Sequence, residues 1–86
     1  MIHKAKQIIV NYVNLHRNIL HKPITIDDVY IVWFCKTLQN FKILLSTTLP
    51  DGMYYEVTFD GDKNKYYLDA YKKWKNISIK AESLKE

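Results

Sequence analysis

The 86-residue chain has one cysteine, two glycines, two prolines and no acid before Asp27. Each scarcity excludes something. A lone cysteine, Cys35, cannot close an internal disulfide. With no signal-peptide pattern at the start, it points to a reducing, cytoplasmic setting. Two glycines are too few for a phosphate cradle. Lys36-Thr37 has the form of the end of a phosphate-binding loop, but no glycine precedes it to bring backbone amides to phosphate. Long apolar runs are missing as well. The stretch "AKQIIVNYVNLHRNIL" is interrupted by polar residues and is too short to span a bilayer, so no membrane association is expected.

What is present describes a folded chain. The hydrophobic fraction is 48% and the aromatic fraction 14%, too rich for disorder. One domain over residues 1–86 is expected, with a modest stability margin because a short chain buries a smaller share of its surface. The net charge is +4 and unevenly spread. Residues 1–22 carry Lys4, Lys6, Arg17 and Lys22 with no acid, for +4. Residues 23–71 set four lysines against seven acids, for −3. Residues 72–86 set five lysines against two glutamates, for +3. An acidic body thus lies between two basic ends.

The pattern of apolar residues predicts a helix over residues 4–20. Ala5, Ile8, Ile9, Tyr12, Val13, His16, Ile19 and Leu20 follow the three-and-four spacing of one helical face. Pro23 prevents its continuation. Thr25 with Asp28 three residues on has the form of a capping box that opens a single turn. Four strands follow. "VYIVWFCKTL" (29–38) is β-branched and aromatic throughout. Strict alternation sets Val29, Ile31, Trp33 and Cys35 against Tyr30, Val32 and Phe34. Both sets are apolar, as in a strand covered on two sides or meeting a partner. Gln39-Asn40 marks a turn, and "KILLSTTL" (42–49) is the second strand. Pro50-Asp51-Gly52 is a strong turn. "MYYEVTF" (53–59) alternates cleanly, "DGDKN" turns again, and "KYYLDAYKKW" (65–74) is the fourth strand. A flexible tail is expected over about residues 80–86. The fold class is α+β: one N-terminal helix packed on a four-stranded antiparallel meander sheet, in strand order 1-2-3-4. One helix is about 10 Å wide and four strands span roughly 14–15 Å, so apolar sheet surface is left over.

No catalytic constellation emerges. Cys35 sits within an apolar strand, far in sequence from His3, His16 and His21. It reads as a buried, small hydrophobe rather than an activated thiolate. No CxxC or HExxH spacing supports a metal site. Asp27-Asp28 and Asp60/Asp62 occupy a cap and a turn, where acids serve the local backbone. "DGDKN" lacks the later glutamate of a calcium loop. The expectation is a protein that is not an enzyme and holds no cofactor or metal. The tyrosines say more. In a strand, the pairs Tyr54-Tyr55 and Tyr66-Tyr67 put one ring on each face. Tyrosine is enriched at interface hot spots, although cross-strand tyrosines also stabilise sheets on their own. The candidate partner-binding residues are Tyr54, Glu56, Tyr67, Asp69 and Tyr71. Aromatics on an open sheet also stack bases, but Glu56 and Asp69 would repel phosphate.

The stretches "DDVY-VW-CKTLQN-K-LLSTT", "DGMYYEVT" and "DAYKK" resemble a family of small phage and prophage proteins of Gram-positive bacteria, classed as a domain of unknown function. The likeness covers roughly residues 24–75. It lends no activity. It implies a phage context inside a bacterial host cell, where small single-domain proteins act by binding host or defence proteins. The expectation is therefore a non-enzymatic accessory protein that inhibits such a target, as an anti-CRISPR protein does. Two alternatives remain: a nucleic-acid-binding module using the basic helix and tail, and a structural homodimer.

Overall fold

A computed structural model describes residues 1–18 and 20–84. Helix α1 (Ile2–His16) is followed by a single 3-10 turn at Ile26–Asp28. Four strands then complete the sheet: β1 (Val29–Thr37), β2 (Asn40–Thr47), β3 (Met53–Asp60) and β4 (Lys65–Lys72). All neighbours are antiparallel and the order is β1-β2-β3-β4. The α+β meander expected from the hydrophobic pattern is the fold observed.

The core lies between α1 and one sheet face. Ala5, Ile9, Val10 and Val13 of the helix meet Ile43, Leu45, Tyr55 and Val57 of the two inner strands. Val10 lies outside the apolar stripe read from the spacing, yet it is buried, so the covered stripe is wider. The helix does not reach the whole face. Rings close the remainder: Phe41 stacks on Phe59 at 5.3 Å, and Phe59 lies 4.8 Å from Tyr66. Aromatic pairs at such separations add stabilisation beyond the area they bury.

Three sequence expectations need correction. The helix ends at His16, not at residue 20. The cause is tertiary. The Asn14 side-chain amide donates to the Ile24 carbonyl at 3.0 Å, and the Ile24 N–H donates back to its oxygen at 2.9 Å. This clamp draws the chain back toward the helix, and Arg17 is already extended. His16 and Leu20, read as part of the apolar face, are exposed; Ile19 lies outside the described residues. Next, the left-handed residue of the first hairpin is Leu38, with φ 54°. Asn40 instead starts β2, where its side-chain oxygen accepts from the Gly61 N–H at 2.8 Å.

The third correction concerns β1. The register shifts between Ile31 and Trp33, leaving Val32 as an extra residue. Such a bulge reverses which face each later side chain meets. Val29, Ile31 and Phe34 share the covered face, whereas Tyr30, Trp33 and Cys35 share the other. Strand β1 is also an edge strand, buried only at Val29. Cys35 is therefore exposed, not buried in a core.

Candidate functional site

The uncovered face of the sheet is built by the strand registers. One cross-strand row holds Tyr30, Ser46, Tyr54 and Tyr71. The next holds Trp33, Leu44, Glu56 and Asp69, and the third Cys35, Lys42, Thr58 and Tyr67. Five rings thus share one side: Tyr30, Trp33, Tyr54, Tyr67 and Tyr71. Tyr71 is 51% exposed, Tyr30 48%, Tyr67 44% and Trp33 41%. Only Ser46 of these rows is fully buried, and its hydroxyl donates to the Met53 carbonyl at 2.8 Å.

The charges on this face are partly resolved. Glu56 pairs directly with Asp69 across β3 and β4. Like charges at that spacing repel. Lys42 offsets this from the diagonal position, with Nζ 3.3 Å from the Glu56 carboxylate. Asp69 forms no salt bridge among the described residues. A hollow of about 400 Å³ opens beside it, lined by Leu44, Tyr54, Tyr71, Lys72 and Lys73. Its walls are ring faces and aliphatic stems, suited to an apolar side chain with a lysine-bordered rim.

All five residues expected to meet a partner, Tyr54, Glu56, Tyr67, Asp69 and Tyr71, fall on this face in adjacent register positions. The sequence alone left undecided which side of β1 joins this face. Trp33 joins Tyr30 on the face only because of the bulge, and no glycine or proline in "VYIVWFCKT" announces it. Leu44 and Lys42 were legible from alternation along β2, once its covered face was assigned to Ile43 and Leu45.

Other clefts lie at the far end of the helix. One of about 320 Å³ is lined by Arg17, Lys22, Thr25, Asp28 and Thr48 among others. Asp28 is occupied there: it accepts from the Thr25 N–H at 2.8 Å and from the Thr48 hydroxyl at 3.3 Å. This realises the capping box and ties β2 to the turn. A second cleft of about 250 Å³ holds Tyr12, His16, Asp51 and Tyr55. Burial pushes the Tyr55 hydroxyl above its ordinary pKa of 10.0, and Asp51 and Tyr12 add to the effect. His16 Nδ1 lies 2.8 Å from the Tyr12 carbonyl. Cys35 lies at a small hollow with Thr37, Asn40, Phe41, Lys42 and Thr58, with no histidine beside it. No group of three metal-ligating side chains converges among the described residues. No described helix is long and apolar enough to cross a membrane.

The model of a family of unknown function (DUF6275) matches residues 2–81. The chain belongs to that family. No curated protein and no solved structure matches it. Membership spans the helix, all four strands and most of the segment after them, so the family pattern describes the whole fold rather than one element.

Proposed function

We propose that the open sheet face is a protein-binding surface, and that the chain acts by binding rather than by catalysis. The carrying observation is the contiguity of five rings with Leu44 on a face that no element among the described residues covers. Stable interfaces are built around such aromatic anchors, with a polar rim. Tyr54 and Tyr71 frame the hollow, Tyr67 extends the ring surface, and Asp69 supplies a charge to be matched.

The resemblance to phage and prophage proteins of Gram-positive bacteria supports the class of partner. The reading is an accessory protein that works in the host cytoplasm by occupying a host or defence protein, such as a CRISPR nuclease. The nucleic-acid alternative is weaker on this face, because Glu56 and Asp69 lie at its centre. Its own test is the salt dependence of DNA binding, which is steep for a true binder.

The decisive experiment is capture from a host lysate by the chain and by a Tyr54→Ala/Tyr67→Ala variant. The reading expects a partner held by the first and lost by the second. Equal capture by both, or no capture by either, removes it.

A further inference from the structure

Residues 74–84 form an arm that stays exposed along its whole length among the described residues. The Lys73 N–H donates to the Gly52 carbonyl at 2.8 Å, the last tie to the sheet. From there the chain runs without strand or helix to a single turn at Ala81–Ser83. Every described residue of this arm is exposed. Trp74 is 97% exposed, Ile77 and Ile79 66% each, and Leu84 65%. Four large apolar side chains in water along one short segment mark an interaction site rather than a solvated terminus.

The global dimensions agree. The radius of gyration is 15.7 Å, whereas a compact chain of this length has one of about 12 Å. The accessible surface is 6876 Å², against about 5,400 Å² for a compact monomer of this mass. The excess is of the order of 1,500 Å² per chain. A stable interface needs roughly 800 Å² from each partner, so covering part of the excess suffices.

We propose that in the free protein two copies exchange these arms, each arm lying across the open sheet face of the other. The inference rests on the reading of that face as a protein-binding surface and names its occupant there. Four features of the chain favour a second copy. First, reach: an extended arm of eleven residues spans about 36 Å, enough to cross a sheet of four strands roughly 14–15 Å wide. Second, charge: the arm after Lys73 sets three lysines against two glutamates, for +1, and the body carries −3 over residues 23–71. Asp69, without a salt bridge among the described residues, lies on the receiving face. Third, direction: from Trp74 to Leu84 the chain forms no strand and every residue is exposed, so this part of the arm is not turned back onto its own sheet. Fourth, symmetry: the hollow beside Tyr54 and Tyr71 is bordered by Lys72 and Lys73, at the arm's own root. A two-fold axis near that corner brings each Trp74 to the other copy's hollow, closing both contacts at once.

Light scattering on the full chain tests this, together with a chain ending at Lys73 and a Trp74→Ala/Ile77→Ser/Ile79→Ser variant. The expected mass of the full chain is twice 10.3 kDa. Both altered chains are expected to fall to the monomer mass while keeping the far-UV circular dichroism of the sheet. The arm's exposure means that losing it removes no core contact, and the substituted chain controls for truncation. A Tyr54→Ala/Tyr71→Ala variant is expected to halve the mass as well. A full chain that is monomeric at high concentration overturns the proposal, as does a dimer that survives loss of the arm. A monomer that still captures a host partner through Tyr54 and Tyr67 removes the arm exchange and leaves the binding-face reading standing.

Discussion

The two faces of this sheet are drawn from the same strands and have opposite fates. On the covered face, Ile43, Leu45 and Val57 are fully sealed and Tyr55 is 3% exposed. On the open face, one residue away along the same backbone, rings of equal or greater size meet solvent. Hydrophobicity alone does not explain this, since the open face is as aromatic as the covered one. The supply of cover decides. A single helix of fifteen residues is the only layer placed against the sheet among the described residues. Aliphatic side chains dominate where the helix lies, and amphipathic rings dominate where it does not. Tyrosine is suited to the second place because its ring tolerates water and its hydroxyl gains from it.

The contrast predicts different costs for similar truncations. Leu45→Ala empties a sealed site and is expected to lose about 2–5 kcal/mol, a large part of the roughly 5–15 kcal/mol that a small domain has. Tyr67→Ala on the open face is expected to cost less than about 1 kcal/mol. Urea unfolding of the two variants measures the gap. Equal losses would break the distinction between the faces.

The next largest effect concerns what holds the cover in place. Asn14→Ala removes both hydrogen bonds to the Ile24 backbone and leaves a part-buried N–H and carbonyl unpaired. A loss of about 1–3 kcal/mol is expected. Faster amide exchange at Ile24 should accompany it. Unchanged exchange there would show that Pro23 and the capping turn hold the segment without Asn14.

Smaller effects sharpen the electrostatics of the open face. Lys42→Ala leaves Glu56 facing Asp69 without its salt bridge, whereas Glu56→Gln removes the repulsion together with the attraction. The first is expected to destabilise by up to about 1 kcal/mol and the second by less, measured in low salt. The reverse order would mean that the Lys42 contact contributes nothing to folding.

The smallest effect is a pH dependence on the covered face. The folded state favours the neutral Tyr55 hydroxyl, whose pKa is raised above 10.0. Its contribution is complete below pH 10 and is lost as the pH climbs through the raised value. Thermal melts above pH 10 should therefore fall less steeply for Tyr55→Phe than for the natural chain. Parallel falls would show that other groups carry the alkaline loss.

The elements that could be read in advance owe their signals to local chemistry. Pro50-Asp51-Gly52 forms its turn because Gly52 takes φ 68° and the Asp51 side chain accepts from the Met53 N–H at 3.0 Å. Strand β3 alternates because one side is sealed and the other is not. Thr25 and Asp28 cap each other as their spacing implies. The features that could not be read depend on contacts between distant residues. Residues 17–20 keep a helical apolar spacing, yet the chain leaves the helix at Arg17, where the grip of Asn14 on Ile24 draws it back. The exposed arm has the alternating apolar residues of a strand but no neighbouring strand to complete it. Of the candidate site, the β3 and β4 positions were legible from alternation, whereas the ring pair from β1 was not.

The extra residue at Val32 behaves like a frameshift written in side chains. Upstream of it, odd-numbered positions of β1 face the helix; downstream, even-numbered ones do. Deleting Val32 alone would restore the frame: Trp33 would follow Ile31 in ordinary alternation, still opposite Leu44, with Cys35 on the open face and Phe34 on the helix side. Straightening the strand with Val32 retained would instead carry Trp33 and Cys35 to the helix side and bring Phe34 and Lys36 out. A relative that lacks this residue would present the same rings from a regular edge strand without the local bend.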